Sequence, residues 1–399
     1  MFTNIKLSRS QQKFVFLLFI TAIYTALIIW LDFLQGIKVK DEFHFWETSL
    51  SFSENLIPSI EDLRDYRELN TPLPFIMFGA VEHFFHLDVF GGRLLNLILS
   101  IVMVFIIGWP SRDKGATAIL CTFGLFACPY YLLSSGTLVT DIIACFWVLL
   151  GFVAYVHNRH FLSCIAFILA IASRQYMLAF PMAIASYEFI NTLLITKHNN
   201  KFSLSEQWRW IAPFIAASSI LVWFYLFQGL APSSGIEELA PTVQKTTWFL
   251  KPNRAIYFLA FTSIFVVIPE FILFQRQKIQ VSKEQWRKIL LIAVGWLLYC
   301  IAFPPPTSSA GMFSVVLNLL RYEIVKVALF YVLSLLALIR FSQPNLIFLC
   351  LLFNCLIMMK AHYWSKYVLP FAIIFWYLKS LKLEQKFCFA DFKRNLILK

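Results

Sequence analysis

The chain has 399 residues, of which 59% are hydrophobic and 14% are charged, and its mean hydropathy is +0.71. Because soluble globular domains are nearer to about 45–50% apolar, this composition excludes a soluble globular protein. The net charge of +12 does not indicate nucleic acid as a partner. Its basic residues fall in short loops between apolar runs, which is typical of the cytoplasmic loops of membrane proteins.

Long apolar runs recur from Phe14 to Tyr377. They predict an all-α polytopic membrane protein with about 12 transmembrane helices. We place the spans near residues 14–35, 91–109, 116–134, 140–156, 160–173, 176–196, 210–230, 254–275, 288–303, 324–340, 344–360 and 367–380. The first span follows a short basic leader without an obvious small-residue cleavage site, so we interpret it as a retained anchor. We expect one integral membrane domain over residues 1–399.

The cysteines do not indicate a structural or metal site. The chain has eight of them, most lie inside apolar runs, and none shows CxxC or Cys/His spacing. Neither a disulfide framework nor a zinc site is therefore predicted.

The segment 36–90 is predicted to be the first outer loop, facing the periplasm or lumen. Two short amphipathic helices are expected near residues 42–56 and 60–69, separated at Pro58. Residues 71–87 are apolar but shorter than the roughly 20 apolar residues that a span needs. We therefore expect them to form an interfacial helix that lies flat on the membrane.

Charge supports this flat orientation. With it, the loops 111–115, 157–160, 197–209, 276–288 and 340–343 share one side with both termini, including a basic cytoplasmic tail at 381–399. That side holds most of the basic residues and few of the acidic ones, as the positive-inside rule requires. The 231–253 loop then lies outside, where it is a candidate lid.

The adjacent carboxylates Asp41 and Glu42 are the first candidate catalytic residues. A carboxylate near the interface can act as a general base on an acceptor hydroxyl, and two adjacent carboxylates can share a divalent cation. The simpler alternative is a solvated loop start.

Basic residues and their neighbours recur on the same predicted face. Arg and Lys suit phosphate recognition, and the alternative is snorkelling to lipid headgroups. The candidates are Arg174, Gln175, Arg321, Tyr322, His362, Tyr363 and Lys366.

Other polar residues have structural explanations as well. Asp141 is a candidate substrate-binding residue, and it is also suited to capping its helix. Glu188 and Glu270 lie inside predicted spans, where a charge is costly unless it is paired or solvated. The two residues therefore mark either a transport pathway or structural pairs. The cluster of Glu82, His83 and His86 could hold a ligand, but interfacial polarity explains it equally well.

The order of motifs resembles the GT-C superfamily of polytopic glycosyltransferases, which use polyprenyl-phosphate sugar donors. The resemblance covers most of the first 180 residues. It is carried by Asp41-Glu42-Phe43-His44, Thr71-Pro72-Leu73-Pro74-Phe75, Gly92-Arg93-Leu94-Leu95-Asn96, Cys128-Pro129-Tyr130 with Asp141, Arg174-Gln175 and His362-Tyr363. Within the superfamily it looks most like the dolichyl-phosphate-glucose α-1,2-glucosyltransferases, and a bacterial arabinose- or mannose-transferring relative fits nearly as well.

The resemblance implies an inverting transfer to a lipid-linked glycan or another membrane-associated acceptor. Asp41 would be the catalytic base, with Glu42 assisting. The implied substrate-binding residues are His44, Arg93, Asp141, Arg174, Gln175, Arg321, Tyr322, His362, Tyr363 and Lys366. No cofactor is required, although Mg²⁺ or Mn²⁺ is compatible with the chemistry. The expected partners are a polyprenyl- or dolichyl-phosphate sugar, a lipid-linked glycan and membrane lipids.

Two other functional classes stay open at this point. One is a multi-pass transporter or flippase, which predicts internal repeats and charges near the bilayer midplane. The other is a glycan polymerase or ligase of the cell envelope. The location is expected to be a bacterial inner membrane or the endoplasmic reticulum membrane, with the active site facing the periplasm or lumen.

Overall fold

The computed structural model describes residues 8–32, 40–199, 204–239, 245, 249–274, 283–305 and 317–384. These residues form helices joined by short connections, without a β-strand among them. The all-α class is therefore confirmed. Residues 240–244 and 246–248 of the candidate lid, and 385–399 of the basic tail, lie outside the described residues.

The helices are numbered here in chain order. They are α1 Arg9–Leu31, α2 Lys40–Glu54, α3 Ile60–Arg64, α4 Leu73–Phe85, α5 Asp88–Gly108, α6 Ala116–Phe126, α7 Pro129–Ser135, α8 Asp141–Val156, α9 His160–Ser173, α10 Ala179–Asn199, α11 Leu204–Ser218, α12 Ile220–Phe227, α13 Ser233–Leu239, α14 Asn253–Thr262, α15 Ile268–Phe274, α16 Lys283–Ala302, α17 Glu323–Arg340, α18 Leu346–Met358 and α19 Leu369–Ser380. Short 3₁₀ turns at Gln175–Leu178 and Ser365–Val368 precede α10 and α19, and a π-helical stretch at Ser263–Val267 joins α14 to α15.

Six of the described helical segments are long and apolar enough to cross a membrane. They are Arg9–Leu31, Asp88–Gly108, Gln175–Leu194, Gln207–Phe227, Asn253–Phe274 and Glu284–Ala302. A seventh results if α6 and α7, which meet at 82°, form one broken span. The chain is accordingly an integral membrane protein.

Helices occupy all twelve segments predicted as spans, but several are short. Helix α9 has 14 residues and α18 has 13. At 1.5 Å per residue each extends about 20 Å, less than the roughly 30 Å of a hydrocarbon core. The count of about 12 crossings, and the side on which each loop lies, stay predictions.

Helix α19 lies at the centre of the bundle. All of its residues from Leu369 to Ser380 are buried. Its Trp376 packs against Gly124 of α6, where an added Cβ would lie 2.3 Å from the indole ring. Because α19 follows directly after the 365–368 turn, this packing fixes the position of the polar residues in that turn.

The first loop is built as predicted in its local structure. Helix α2 occupies the first predicted segment, and α3 covers the first half of the second and ends at Arg64, with Pro58 between the two helices. Helix α4 packs closely on α2 because Gly79 has no side chain, and an added Cβ there would lie 2.7 Å from the Ser49 carbonyl oxygen. This close approach anchors the helix that carries Asp41.

Candidate active site

The described residues line a cavity of about 640 Å³. Its polar part is lined by Asp41, His44, Glu68, Asn70, Arg174, Gln175, Lys360, His362 and Lys366. Its apolar part is lined by Leu178, Ile220, Phe224, Leu230, Ile236, Leu239 and Ile357. One cavity can therefore hold both the charged and the apolar portion of an amphiphilic ligand.

Two carboxylates and one ammonium group meet at the polar end. Lys366 Nζ lies 3.3 Å from Asp41 Oδ2 and 3.9 Å from Asp141 Oδ2. The Asp41 side chain is 31% exposed, whereas that of Asp141 is 2% exposed. Lys366 also lies 3.7 Å from the centre of the Trp364 ring. Asp41 is therefore the more accessible of the two carboxylates, and Lys366 holds it in place.

Arg174 connects the cavity wall to the start of α8, and Gln175 connects it to the first loop. Arg174 Nε donates to Thr140 Oγ1 at 2.8 Å, and its guanidinium group lies 3.3 Å from Asp141. Gln175 Nε2 donates to the Leu69 carbonyl at 2.8 Å. Both residues line the cavity, and their hydrogen bonds hold its wall rigid.

The structure places Glu42 and Arg93 outside the cavity wall. Glu42 is fully buried, and it accepts two hydrogen bonds of 2.9 Å from Arg93 and one of 2.7 Å from the Leu138 amide. Neither side chain lines the cavity. Successive helical residues point about 100° apart, so Glu42 faces α5 while Asp41 faces the cavity. The Glu42–Arg93 pair anchors α2.

His362 lines the cavity. Burial lowers the pKa of His362, and the cations Arg254 and Lys366 lower it further. A neutral imidazole is therefore expected at pH 7, instead of a cation that binds phosphate. Tyr363 lies in an adjoining small pocket, with its ring centre 4.5 Å from that of His362.

The remaining sequence candidates lie away from the cavity. Arg321 and Tyr322 are exposed just before α17 and are not among its lining residues. Glu188 hydrogen-bonds to Tyr155 and Arg209, and Glu270 pairs with Arg340 and Lys379. These two buried acids are thus structural pairs, which removes the main sequence support for a transport pathway.

The cluster around α4 is also explained by local structure. Glu82 Oε2 accepts from the Asp88 amide at 2.8 Å, and His83 Nδ1 lies 2.9 Å from the Ser53 carbonyl oxygen. No group of three or more His, Cys, Asp or Glu side chains in the described part of the chain is arranged to hold a metal ion. The use of Mg²⁺ or Mn²⁺ stays a prediction.

Several cavity residues were not found from the sequence. Glu68 lies in a polar stretch that is typical of a solvated loop, yet it is 3% exposed. Lys360 falls at the end of one predicted span. Arg254, in the adjoining small pocket, falls at the start of another. Arg254 is buried, donates to the Ala361 carbonyl, and has an Nε without a hydrogen-bond partner. A buried arginine beside the cavity extends its basic side.

Comparisons with known proteins place little constraint on this chain. No family model and no curated protein matches it. Among solved structures, it is similar to the crystal structure of ArnT from Cupriavidus metallidurans bound to undecaprenyl phosphate, with 16% sequence identity and a TM-score of 0.42. The alignment covers 92% of this chain and 77% of that one. At this level the similarity defines neither the fold family nor the function of the chain.

Proposed function

We propose that this chain is an inverting membrane glycosyltransferase that moves a sugar from a polyprenyl-phosphate donor to a hydroxyl of a lipid-linked acceptor. One observation carries the proposal: Asp41 and Lys366 form an ion pair at the polar end of a cavity whose remaining wall is apolar. Its place within an integral membrane protein suits two substrates that are themselves anchored by lipid.

Asp41 is the proposed general base. It removes the proton from the acceptor hydroxyl as that oxygen attacks the anomeric carbon of the sugar. The bond from this carbon to the phosphate oxygen breaks, and the electron pair leaves with polyprenyl phosphate. Because attack is in line, the anomeric configuration inverts. Such base catalysis contributes about 10²–10⁴-fold.

The leaving phosphate needs positive charge and no strong acid. Lys360 and Lys366 line the cavity directly, and Arg174 lies at its wall. Cations that are already in place stabilise the charge that develops on the phosphate oxygen. The sequence-predicted phosphate set is thereby revised, with Lys360 replacing Arg321 and His362 acting as a neutral group.

The apolar wall is the proposed site for the first isoprene units of the donor. Ile220 and Phe224 come from α12, and Ile357 comes from α18. The exposed face of α12, with Leu221 62% and Val222 64% exposed, continues this apolar surface outward. Isoprene units beyond the cavity would therefore lie along this face of α12.

Other parts of the proposal follow from the predicted topology. With basic loops inside, the cavity faces the periplasm of a bacterial inner membrane or the lumen of the endoplasmic reticulum. The sugar is a hexose or a pentose. The proposal covers a glucosyltransferase and an arabinose- or mannose-transferring enzyme alike.

The test is release of radiolabelled sugar from polyprenyl-phosphate donors by the purified full chain in lipid nanodiscs. A panel of hexose and pentose donors with a lipid-linked glycan acceptor identifies the sugar. Asp41→Asn should reduce transfer about 10²–10⁴-fold. Glu47→Gln is the matched control, because Glu47 is an exposed acid on the same helix. Full transfer by Asp41→Asn would contradict the proposal.

A further inference from the structure

Glu68 is a buried acid in the cavity wall that the proposed reaction does not yet use. It is 3% exposed, and its Oε1 has no hydrogen-bond partner. Within the described part of the chain, no cation lies within ion-pair distance of it. An ionised carboxylate buried in this way would be costly, because neither a cation nor a full set of donors replaces its water.

The neighbouring charges differ between Glu68 and Asp41. Asp41 has the Lys366 ammonium group 3.3 Å away. The groups that face Glu68 are Asp41 on α2, Glu238 on α13, Arg174 at the end of α9 and Tyr66 in its own segment. Two carboxylates in one half-buried site cannot both ionise cheaply, and the ion pair favours the proton resting on Glu68.

The protonation of Glu68 agrees with this geometry. Burial raises its pKa to about 8, and Asp41 and Glu238 raise it as well, against opposing effects of Arg174 and the Leu69 amide. At pH 7 the carboxyl group is therefore mostly neutral.

The segment that carries Glu68 is held firmly. Tyr66 Oη donates to the Asn70 carbonyl at 2.6 Å, and Gln175 Nε2 donates to the Leu69 carbonyl at 2.8 Å. On its other side, Gly235 of α13 packs directly against the Glu68 backbone. The unpartnered carboxyl oxygen is thus fixed in the cavity wall before any ligand binds.

We propose that Glu68 acts as a neutral carboxylic acid that donates a hydrogen bond to an oxygen of the bound substrate, leaving Asp41 as the base of the pair. This inference deepens the proposed function and rests on it. A neutral carboxyl group has one O–H donor, and it adds no negative charge beside the departing phosphate. Pairs of acids with different environments divide acid and base roles in this way.

Two substitutions separate this role from the alternatives. Glu68→Gln keeps a neutral group with a donor, whereas Glu68→Met keeps comparable volume without one. We expect Met to reduce transfer about tenfold, the effect of one lost hydrogen bond of about 1.4 kcal/mol. Gln should restore most of that loss. Wild-type transfer should decline as the pH rises through about 8, and the Gln variant should lack that decline.

Two outcomes of this comparison overturn the inference. If Gln is as inactive as Asp41→Asn, an ionised Glu68 is required. If Met is fully active, Glu68 has only a structural role. If neither the wild type nor Asp41→Asn transfers sugar, the proposed function fails. Infrared spectroscopy of the full chain in nanodiscs at pH 7 then tests the protonation of Glu68. The wild type should show a protonated-carboxyl band that Glu68→Gln lacks, and identical spectra overturn the inference.

Discussion

The buried pair of Glu42 and Arg93 allows a quantitative prediction about how α2 is held. Arg93→Met removes two of the three hydrogen bonds to the Glu42 carboxylate described above. The hydrogen bond from the Leu138 amide stays. Breaking a buried ion pair from one side costs about 3–5 kcal/mol. Glu42→Met should cost more, because the Leu138 amide also loses its acceptor, which adds about 1–3 kcal/mol.

The double variant Glu42→Met/Arg93→Met distinguishes pairing from simple loss of packing. It leaves no unpaired buried charge, so it should be more stable than either single variant, and the costs of the two single substitutions should not add. Lys326→Met is the control. It breaks the pair between Lys326 and the exposed Glu323, which should cost under about 1 kcal/mol.

The assay is the melting temperature of the full chain in one detergent, with tryptophan fluorescence as the signal that reports unfolding. The expected order, from highest to lowest, is wild type, Lys326→Met, the double variant, Arg93→Met and Glu42→Met. Transfer activity should fall with the Glu42 variants, because Asp41 is the preceding residue on the same helix. An Arg93→Met variant that melts with the wild type would refute the view that this pair anchors α2.

The remaining predictions concern the cavity. Lys360→Gln should raise KM for the donor about tenfold through loss of a charged phosphate contact, and Arg321→Gln, outside the cavity, should leave KM unchanged in the same kinetics. Gly235→Ala should displace α13 and reduce activity, because the new Cβ would lie 2.4 Å from the Glu68 carbonyl oxygen. Gly229→Ala is the control and should keep full activity, because the nearest atoms to its new Cβ lie at 3.9 Å. Equal activities of the two variants would contradict this packing. The pKa of Glu68 in the folded protein is raised above its usual 4.5, so its contribution to stability is complete below about pH 4.5 and is lost as the pH rises through about 8. The melting temperature of Glu68→Gln should therefore depend less on pH over that window than that of the wild type. The same pH dependence in both proteins would contradict the raised pKa.

Most of the helices were predictable from the sequence. Apolar runs and their interruptions are local features, and they located helices in all twelve predicted spans and in both segments of the first loop. The local pattern also identified Asp41, Arg174, Gln175 and Lys366, which the structure brings to one cavity. It did not show that Arg321 and its neighbour Tyr322 lie elsewhere, because the position of α17 depends on packing against other helices.

The Asp41–Glu42 dipeptide shows what the sequence alone determined and what required the tertiary structure. The sequence by itself determined that two acids open the first helix after an apolar span. Only the tertiary structure decided that Glu42 pairs with Arg93 while Asp41 faces the cavity, because the direction of each side chain depends on the rotation of α2 against α5. Glu68 and Lys366 join Asp41 from distant parts of the chain. Their burial, charge and proximity arise from long-range packing, which no local pattern of residues contains.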